Sequence, residues 1–470
     1  MRLVEFDAIV VGAGFAGIYM LQRLRALGLK TKVIEAGTGP GGTWYWNRYP
    51  GLRCDVESMT YSYSFSDEIQ REWTWSERYA TQAEILSYIN YVVDKLDLRR
   101  DMKFETRVIS ANFDEFTNRW HIETDGKEHF AARFCIMATG CLSVPDPPKF
   151  EGLKRFKGKW YHTGDWPKED VDFAGQRFAV IGTGSSGIQL IPVIAEQAAH
   201  LTVFQRTANY SIPAWNKPLD EEAIRHWKAN YPALRQRARL SPVGADFVPP
   251  DRATFDLSPE ERYRRLEDMW QRGSFGFLSA FTDLLVNQAA SDLVGLFVKD
   301  KIRAVVKDPE IANLLCPKNL PIGTKRLCVD TNYYETFNRD NVRLIDIKAA
   351  PIEEITPTGL IAGGVAHEFD AIVFAIGYDA MTGALFKINP RGRGNITLKE
   401  KWANGPRTYL GLAVSGFPNL FTVTGPGSPS VISNMMVSIE QHIDWITDCI
   451  VYLQAHNLDN IEPAVDAENK

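Results

Sequence analysis

At 470 residues the chain is long enough for two or three domains and a large buried core, which excludes a single small module. Hydrophobic residues make up 45% and charged residues 24%, and a net charge of −5 over this length argues against nucleic acid or another polyanion as partner, leaving a small molecule. Six cysteines, Cys54, Cys135, Cys141, Cys316, Cys328 and Cys449, form no Cys-x-x-Cys pair and no zinc spacing, the pattern of reduced, mostly structural thiols in a cytoplasmic protein without a metal site.

The first organised stretch, "DAIVVGAGFAGIYMLQRLRALG" from Asp7, predicts a β-branched strand, a tight glycine turn and a helix with apolar residues at helical spacing. Glu5 and Asp7 precede its uncharged run and glycines interrupt it, so it suits neither a signal peptide nor a membrane span. The glycines divide the work of a dinucleotide fold. Gly12 makes the turn, Gly14 admits a pyrophosphate to the helix N-terminus, and Gly17 allows close packing of helix on strand. "KTKVIEAG" follows as a second strand ending in Glu35, placed to accept hydrogen bonds from a ribose, and "GPGGTWYWNRYPG" has the look of a flavin bed.

Next come alternating apolar residues in "RWHIETDG" and a buried strand, "ARFCIMATG" (132 to 140), that returns to the first sheet. The stretch "FKGKWYHTGDWP", Phe156 to Pro167, holds a histidine and two tryptophans between glycines, with no metal spacing and no nucleophile. The dinucleotide pattern then recurs without a gap in "RFAVIGTGSSGIQLIPVIAEQAAHLTVFQRTA": Gly182, Gly184 and Gly187 repeat Gly12, Gly14 and Gly17. Its strand ends in Gln205-Arg206-Thr207 instead of Glu35-Ala36. A guanidinium there grips the 2′-phosphate that a carboxylate would repel, which selects NADPH over NADH and leaves a different dinucleotide for the first site.

From about Tyr210 to Lys325 the pattern changes to arginine-rich helices such as "SPEERYRRLEDMWQRG", their charges balanced at helical spacing, which predicts a solvated face with local ion pairs. "IEEITPTGLIAGGVAHEF" and "FDAIVFAIGYD" (369 to 379) then repeat the small sheet and the return strand. The expected fold is α/β, with two Rossmann-like dinucleotide-binding domains and an inserted helical subdomain. The first domain takes 1–143 and 379–470, the second 144–209 and 329–378, and the insert 210–328.

The stretch from Phe156 fits Phe-x-Gly-x-x-x-His-x-x-x-Trp-Pro, and "GGTWYWNRYPGLRCD", "GTKRL", "NRDNV", "DAMTGAL" and "GPGSPS" stand at matching positions. On these motifs, from Asp7 to about Glu468, the chain resembles the type I Baeyer-Villiger monooxygenases, most closely the branch that includes phenylacetone monooxygenase. The resemblance implies FAD in the first site and NADPH in the second. It also implies oxidation of a ketone to an ester or lactone by O₂ bound at the flavin C4a, chemistry the cofactor carries.

It further implies that Arg326 is the active-site cation and Asp55 the carboxylate that holds it, while Gly12, Gly14, Ala16, Gly17, Glu35, Gly42, Thr43, Trp44, Asp55, Tyr61, Val108 and Met435 bind FAD. Thr183, Gly184, Ser185, Ser186, Gln189, Arg206, Thr207, Lys325 and Arg326 would bind NADP, and Ser430 and Val431 would line the ketone pocket. A guanidinium suits this place because it cannot lose its proton to an anionic oxygen. His162 reads as an interdomain hydrogen-bonding residue, with Phe156, Trp160 and Trp166 packed where one domain leaves the other, and not as a base. Family members continue into a C-terminal segment that covers NADP; here the chain stops at "DAENK", which suggests a missing segment. Two alternatives share the nucleotide motifs: a flavin monooxygenase acting on nitrogen or sulfur, and an uncoupled NADPH oxidase. A disulfide reductase needs a cysteine pair beside the flavin, where only Cys54 lies near.

Overall fold

The structure, a computed structural model, describes residues 3–241, 243–245, 247, 249–428 and 433–470. A first sheet contains β1 (Val4–Val11), β2 (Thr31–Ile34), β3 (Met102–Lys103), β4 (Val108–Asp114), β5 (Arg119–Thr124) and β6 (His129–Met137) in the order β3-β2-β1-β6-β5-β4, and Leu420–Thr422 also pairs with β6. β3, β2, β1 and β6 run parallel, with β5 and β4 added antiparallel. The helix Phe15–Ala26 joins β1 to β2, the strand-turn-helix expected from Asp7 onward.

A second sheet begins with β7 (Lys159–His162), β8 (Arg177–Ile181) and β9 (His200–Gln205). After β10 (Ser211–Pro213) and β11 (Cys328–Asp330), which pair with each other, it gains β12 (Val342–Asp346). A three-stranded antiparallel meander, β13 (Ile352–Thr356), β14 (Gly359–Ala362) and β15 (Val365–Glu368), precedes β16 (Ala371–Phe374). The order is β12-β9-β8-β16-β7, all parallel.

Side chains of a strand alternate between the two faces of its sheet, and here both faces are buried. Ala8 and Val10 of β1 point into one apolar cluster and Ile9 and Val11 into another. Phe178 and Val180 of β8 enter the same cluster as Ala8, while Ala179 and Ile181 face a third. That shared cluster also takes Leu266, Trp270 and Phe297 from the inserted helices, so one apolar interior joins both sheets and the insert.

The insert holds Glu221–Leu240, Pro259–Arg272 and Gln288–Val305. Ser258 and Glu261 form a reciprocal capping box at the start of the second, with Pro259 in its first position. Surface pairs such as Arg225 with Glu221, 3.1 Å, fit the solvated face expected of these helices. Arg235 departs from it: it is buried, donating to Gln70 Oε1 (3.1 Å), the Thr60 carbonyl (2.9 Å) and Ser62 Oγ (2.7 Å). Helical spacing puts Arg235 on the inner face of its helix, and a planar donor fork satisfies several acceptors at once, so it fastens the insert to the first domain. Among the described residues no helix is long and apolar enough to cross a membrane.

Candidate active site

The two glycine turns have the same backbone. Gly12 and Gly182 have φ of +104° and +111°, and a Cβ on either would stand 2.6 Å or 2.3 Å from a carbonyl oxygen of the return strand's end, Ala138 or Ala375. Gly17 and Gly187 bring helix onto strand so closely that a Cβ would lie 1.8 Å or 2.3 Å from the carbonyl oxygen of Gly12 or Gly182. In the first site Glu35 is buried, accepting the Ala13 N–H at 2.8 Å and the Gly37 N–H at 2.7 Å, which ties the strand end to the turn and leaves further lone pairs for a ribose. Gly42, at φ +53°, closes over this turn, since a Cβ on Gly14 would be 3.3 Å from its Cα. Thr43 is exposed at the start of the short helix Thr43–Trp46, and Ala16 is buried in the helix after the turn.

Trp44 donates its indole N–H to Tyr61 Oη (3.2 Å), with the two rings 5.7 Å apart and nearly perpendicular. Met435 opens the helix Met435–Ala455, where Asn434 caps Met436 and donates to the Thr60 carbonyl at 3.2 Å, which brings this helix start beside Tyr61. Val108 is buried at the start of β4. At the second turn Gly184 and Ser185 are exposed, and a Cβ on Gly184 would meet nothing within 4 Å. Thr183 is buried, its hydroxyl donating to the Thr207 carbonyl at 3.2 Å. Arg206 and Lys325 are exposed, and neither forms an ion pair among the described residues. Ser186 and Gln189 lie in the first two turns of the helix Ser185–Gln197, where Gln189 faces the first domain. Ser430 and Val431 lie outside the described residues.

Asp55 and Arg326, separated by 271 positions, form a bidentate pair: Nε donates to Oδ2 at 2.6 Å and Nη2 to Oδ1 at 2.7 Å. Such fork-on-carboxylate geometry fixes the plane of the guanidinium. Burial alone would lower the pKa of Arg326, but the charge and hydrogen bonds of Asp55 outweigh it and raise it above the ordinary arginine value. The guanidinium carbon lies 4.3 Å from the ring centre of Phe275, a cation over an aromatic face. Ser274 immediately before it has φ +73° and ψ 174°, a region that costs a non-glycine residue about 1–3 kcal/mol. That strained residue sets the direction in which Phe275 leaves the backbone. Sequence reasoning missed Phe275 and Ser274, for which "RGSFGF" gave only a hint of a turn, and missed Asn434, which its place before a helix flags as a cap.

Beside the pair lies a cavity of about 710 Å³. Its first-domain wall has Asp55, Val56 and Thr60, and the insert supplies Trp227, Phe247, Met269 and Phe275. Four of its charged lining residues are paired: Arg78 with Glu57 at 2.7 Å and Arg265 with Asp251 at 2.8 Å. Cys54 and Cys328 flank the pair in sequence, and both are free. Burial raises Cys54 well above the ordinary thiol value and Cys328 to about 11, so both are thiols and neither is a ready nucleophile.

In the stretch from Phe156, β7 is an edge strand paired with β16. Gly158 is required there, since a Cβ would stand 2.4 Å from the Asp370 carbonyl oxygen. His162 is buried, and its Nδ1 accepts the Gly164 N–H at 2.9 Å, which puts the proton on Nε2; that nitrogen is buried without a hydrogen-bond partner among the described residues, so the interdomain hydrogen bond expected of His162 is not formed and its bonding is local. Asp146 belongs to the passage between the sheets: its N–H donates to the Gly377 carbonyl (3.1 Å), and that of Asp379 to the Val144 carbonyl (2.9 Å). The outgoing and returning chains are thus paired beside His162. Trp166 is buried and stacks on Tyr161 at 5.2 Å, whereas Trp160 is 47% exposed and packs edge-on against the buried Phe374, ring centres 5.9 Å apart.

Residues 9–238 match a family described as pyridine nucleotide-disulphide oxidoreductase. The chain is 44% identical over 469 residues to a Baeyer-Villiger monooxygenase of Pseudooceanicola batsensis, covering 99% of this chain and 85% of that protein. It is 41% identical to a phenazine N-monooxygenase of Lysobacter antibioticus, with coverage of 99% and 86%. A solved structure of an oxidized steroid monooxygenase bound to NADP superposes with a TM-score of 0.97 at 52% identity, covering 99% of this chain and 89% of that one. With a bidentate arginine-carboxylate pair between two dinucleotide folds, the histidine signature at the domain junction and these similarities along nearly its whole length, the chain belongs to the type I Baeyer-Villiger monooxygenase family.

Proposed function

We propose that this chain uses FAD, NADPH and O₂ to convert ketones to esters or lactones, with Arg326 and Asp55 at the reacting centre. Supporting FAD in the first site, Gly42 closely covers the turn, its Cα 3.3 Å from where a Cβ on Gly14 would stand, and the buried Glu35 stands at the strand end. Supporting NADPH in the second, open space lies above Gly184, and Arg206 and Lys325 are cations without an ionic partner among the described residues. On this reading Gly12, Gly14, Ala16, Gly17, Glu35, Gly42, Thr43, Trp44, Tyr61, Val108 and Met435 hold FAD, while Thr183, Gly184, Ser185, Ser186, Arg206, Thr207 and Lys325 hold NADPH. The two nucleotide domains and the insert follow the division at 144, 210, 329 and 379. The chemistry that a bound FAD supplies is transfer of the electrons of NADPH to dioxygen.

What the protein must add is a charge that does not titrate. Arg326 stays protonated and stabilises negative charge as it develops on activated oxygen and on the ketone oxygen, a term worth about 10²–10³ in rate for a single well-placed donor. Asp55 orients the guanidinium and supports its charge. The cavity beside the pair, with Val56, Trp227, Phe247, Met269 and Phe275 on its wall and ion pairs among its charged lining residues, suits an uncharged ketone. His162, neutral and bonded to the Gly164 N–H of its own turn, is buried at the junction of the two domains and takes no part in proton transfer.

The bidentate Arg326–Asp55 pair at the edge of this cavity carries the reading. Protein loaded with FAD, given NADPH, air and a panel of cyclic, linear and aryl ketones, should yield ester or lactone by mass spectrometry. Arg326→Ala should lower ester formation by about two orders of magnitude or more while NADPH is still oxidised. Hydrogen peroxide equal to the NADPH consumed, with no ester from any ketone, would sink the proposal. Similarity to an N-oxidising relative favours one further reading, which a phenazine in the same panel would reveal by its N-oxide.

A further inference from the structure

Gln189, in the second turn of the helix Ser185–Gln197, has both polar functions engaged across the domain boundary. Its Oε1 accepts from Tyr49 Oη at 2.8 Å, and its Nε2 donates to the Arg53 carbonyl at 3.0 Å. Between these two attachments Gly51, at φ +81°, lies directly on the helix, where a Cβ would stand 2.4 Å from the Gln189 carbonyl oxygen. Segment 49–53 is therefore fixed at three points to one turn of the nucleotide helix, and Asp55 follows two residues later. The other member of the ion pair is tied to the same helix. Ser185 Oγ lies 3.3 Å from Cys328 Sγ, two residues beyond Arg326, and Asn209 Nδ2 holds that sulfur at 3.1 Å.

We propose that the first two turns of this helix position the Asp55–Arg326 pair, and that Gln189 is the chief positioning residue, acting through Tyr49 and the Arg53 carbonyl on Asp55 and not as a contact to nucleotide. The proposal rests on the reading of that pair as the reacting centre. An amide side chain accepts from the phenol with its oxygen and donates to the carbonyl with its nitrogen, so glutamine matches both partners of this junction. A nucleotide docking at the exposed N-terminus of the helix, next to Ser185, then stiffens the anchorage of both partners from one place.

The test compares Gln189→Glu, Gln189→Leu and the milder Tyr49→Phe with the parent protein. Glutamate keeps the acceptor for Tyr49 but faces the Arg53 carbonyl with an acceptor in place of a donor. Expected for both Gln189 variants is a KM for NADPH within about twofold of the parent, with the ester formed per NADPH down about fivefold or more and peroxide up to match. Tyr49→Phe should show the same signature, smaller. Hydrogen exchange of residues 50–56 gives a readout that needs no turnover. In both Gln189 variants these amides should exchange about tenfold faster, and NADP⁺ should slow them in the parent but not in the variants. A KM raised tenfold or more with unchanged ester yield, or parent-like exchange at 50–56, would overturn the proposal. If the parent makes no ester from any ketone, the catalytic reading fails, while the exchange measurement still decides whether Gln189 holds the Asp55 segment.

Discussion

Gly12 and Gly182 open turns of the same shape, yet the two cradles differ in what stands around them. Over the first, Gly42 closes to van der Waals distance of Gly14, and Glu35 is buried with two backbone amides on its carboxylate. Over the second there is open space, and the strand ends in exposed Arg206. The glycine turn fixes an anion site at a helix N-terminus in both places, and its flanks decide how that site is used. A closed cradle suits a cofactor that stays; an open one flanked by exposed cations suits a nucleotide that comes and goes.

The widest expected difference is at Gly17, where a Cβ would sit 1.8 Å from the Gly12 carbonyl oxygen. Gly17→Ala should cost about 3 kcal/mol or more by forcing helix from strand, with loss of bound flavin, both read from thermal melting and the visible spectrum. Acid should weaken the same region. His442 is buried, its Nδ1 accepting the Thr424 N–H at 3.2 Å, and burial lowers its pKa to about 4. Because the unfolded chain binds the proton more readily, stability is fully present above about pH 6.5 and falls as pH drops toward 4, by at most about 3 kcal/mol. His442→Gln should flatten that dependence between pH 7 and pH 5, measured as the difference in Tm.

At the open cradle the expected effects are smaller and fall on binding. Arg206→Ala should raise the KM for NADPH by about 10- to 100-fold, the worth of one charge-assisted hydrogen bond, and leave the KM for NADH unchanged. Equal losses with both nucleotides would break the assignment of Arg206 to the 2′-phosphate. Smallest in stability should be Gly184→Ala, below about 1 kcal/mol because its Cβ meets nothing, with the KM for NADPH raised. A fall in stability as large as that for Gly17→Ala would show that the two cradles are equally closed.

Much of this molecule was legible in one dimension because the features concerned are local. A strand, a positive-φ turn and a helix depend on residues within about thirty positions, so both dinucleotide folds, the return strands and the antiparallel pieces before them could be read from spacing and composition. The insert was readable as helices but not as a wall. The same arginine-rich helices that look solvated in projection carry Arg235 to a buried site and present Trp227 and Met269 to the cavity. Which face of a helix is inside depends on what packs against it, and no local pattern in a polar helix records that.

The sequence by itself determined the types of element, the two anion-binding turns, the choice of carboxylate or guanidinium at each strand end and the histidine signature, since each is a short-range consequence of residue type. Only the tertiary structure decided that Asp55 and Arg326 meet across 271 positions, that Phe275 lies under the guanidinium, and that one cradle is covered while the other is open. These are long-range contacts set by how sheets and helices pack, where burial of the shared apolar interior, and not any local preference, fixes which distant side chains come together.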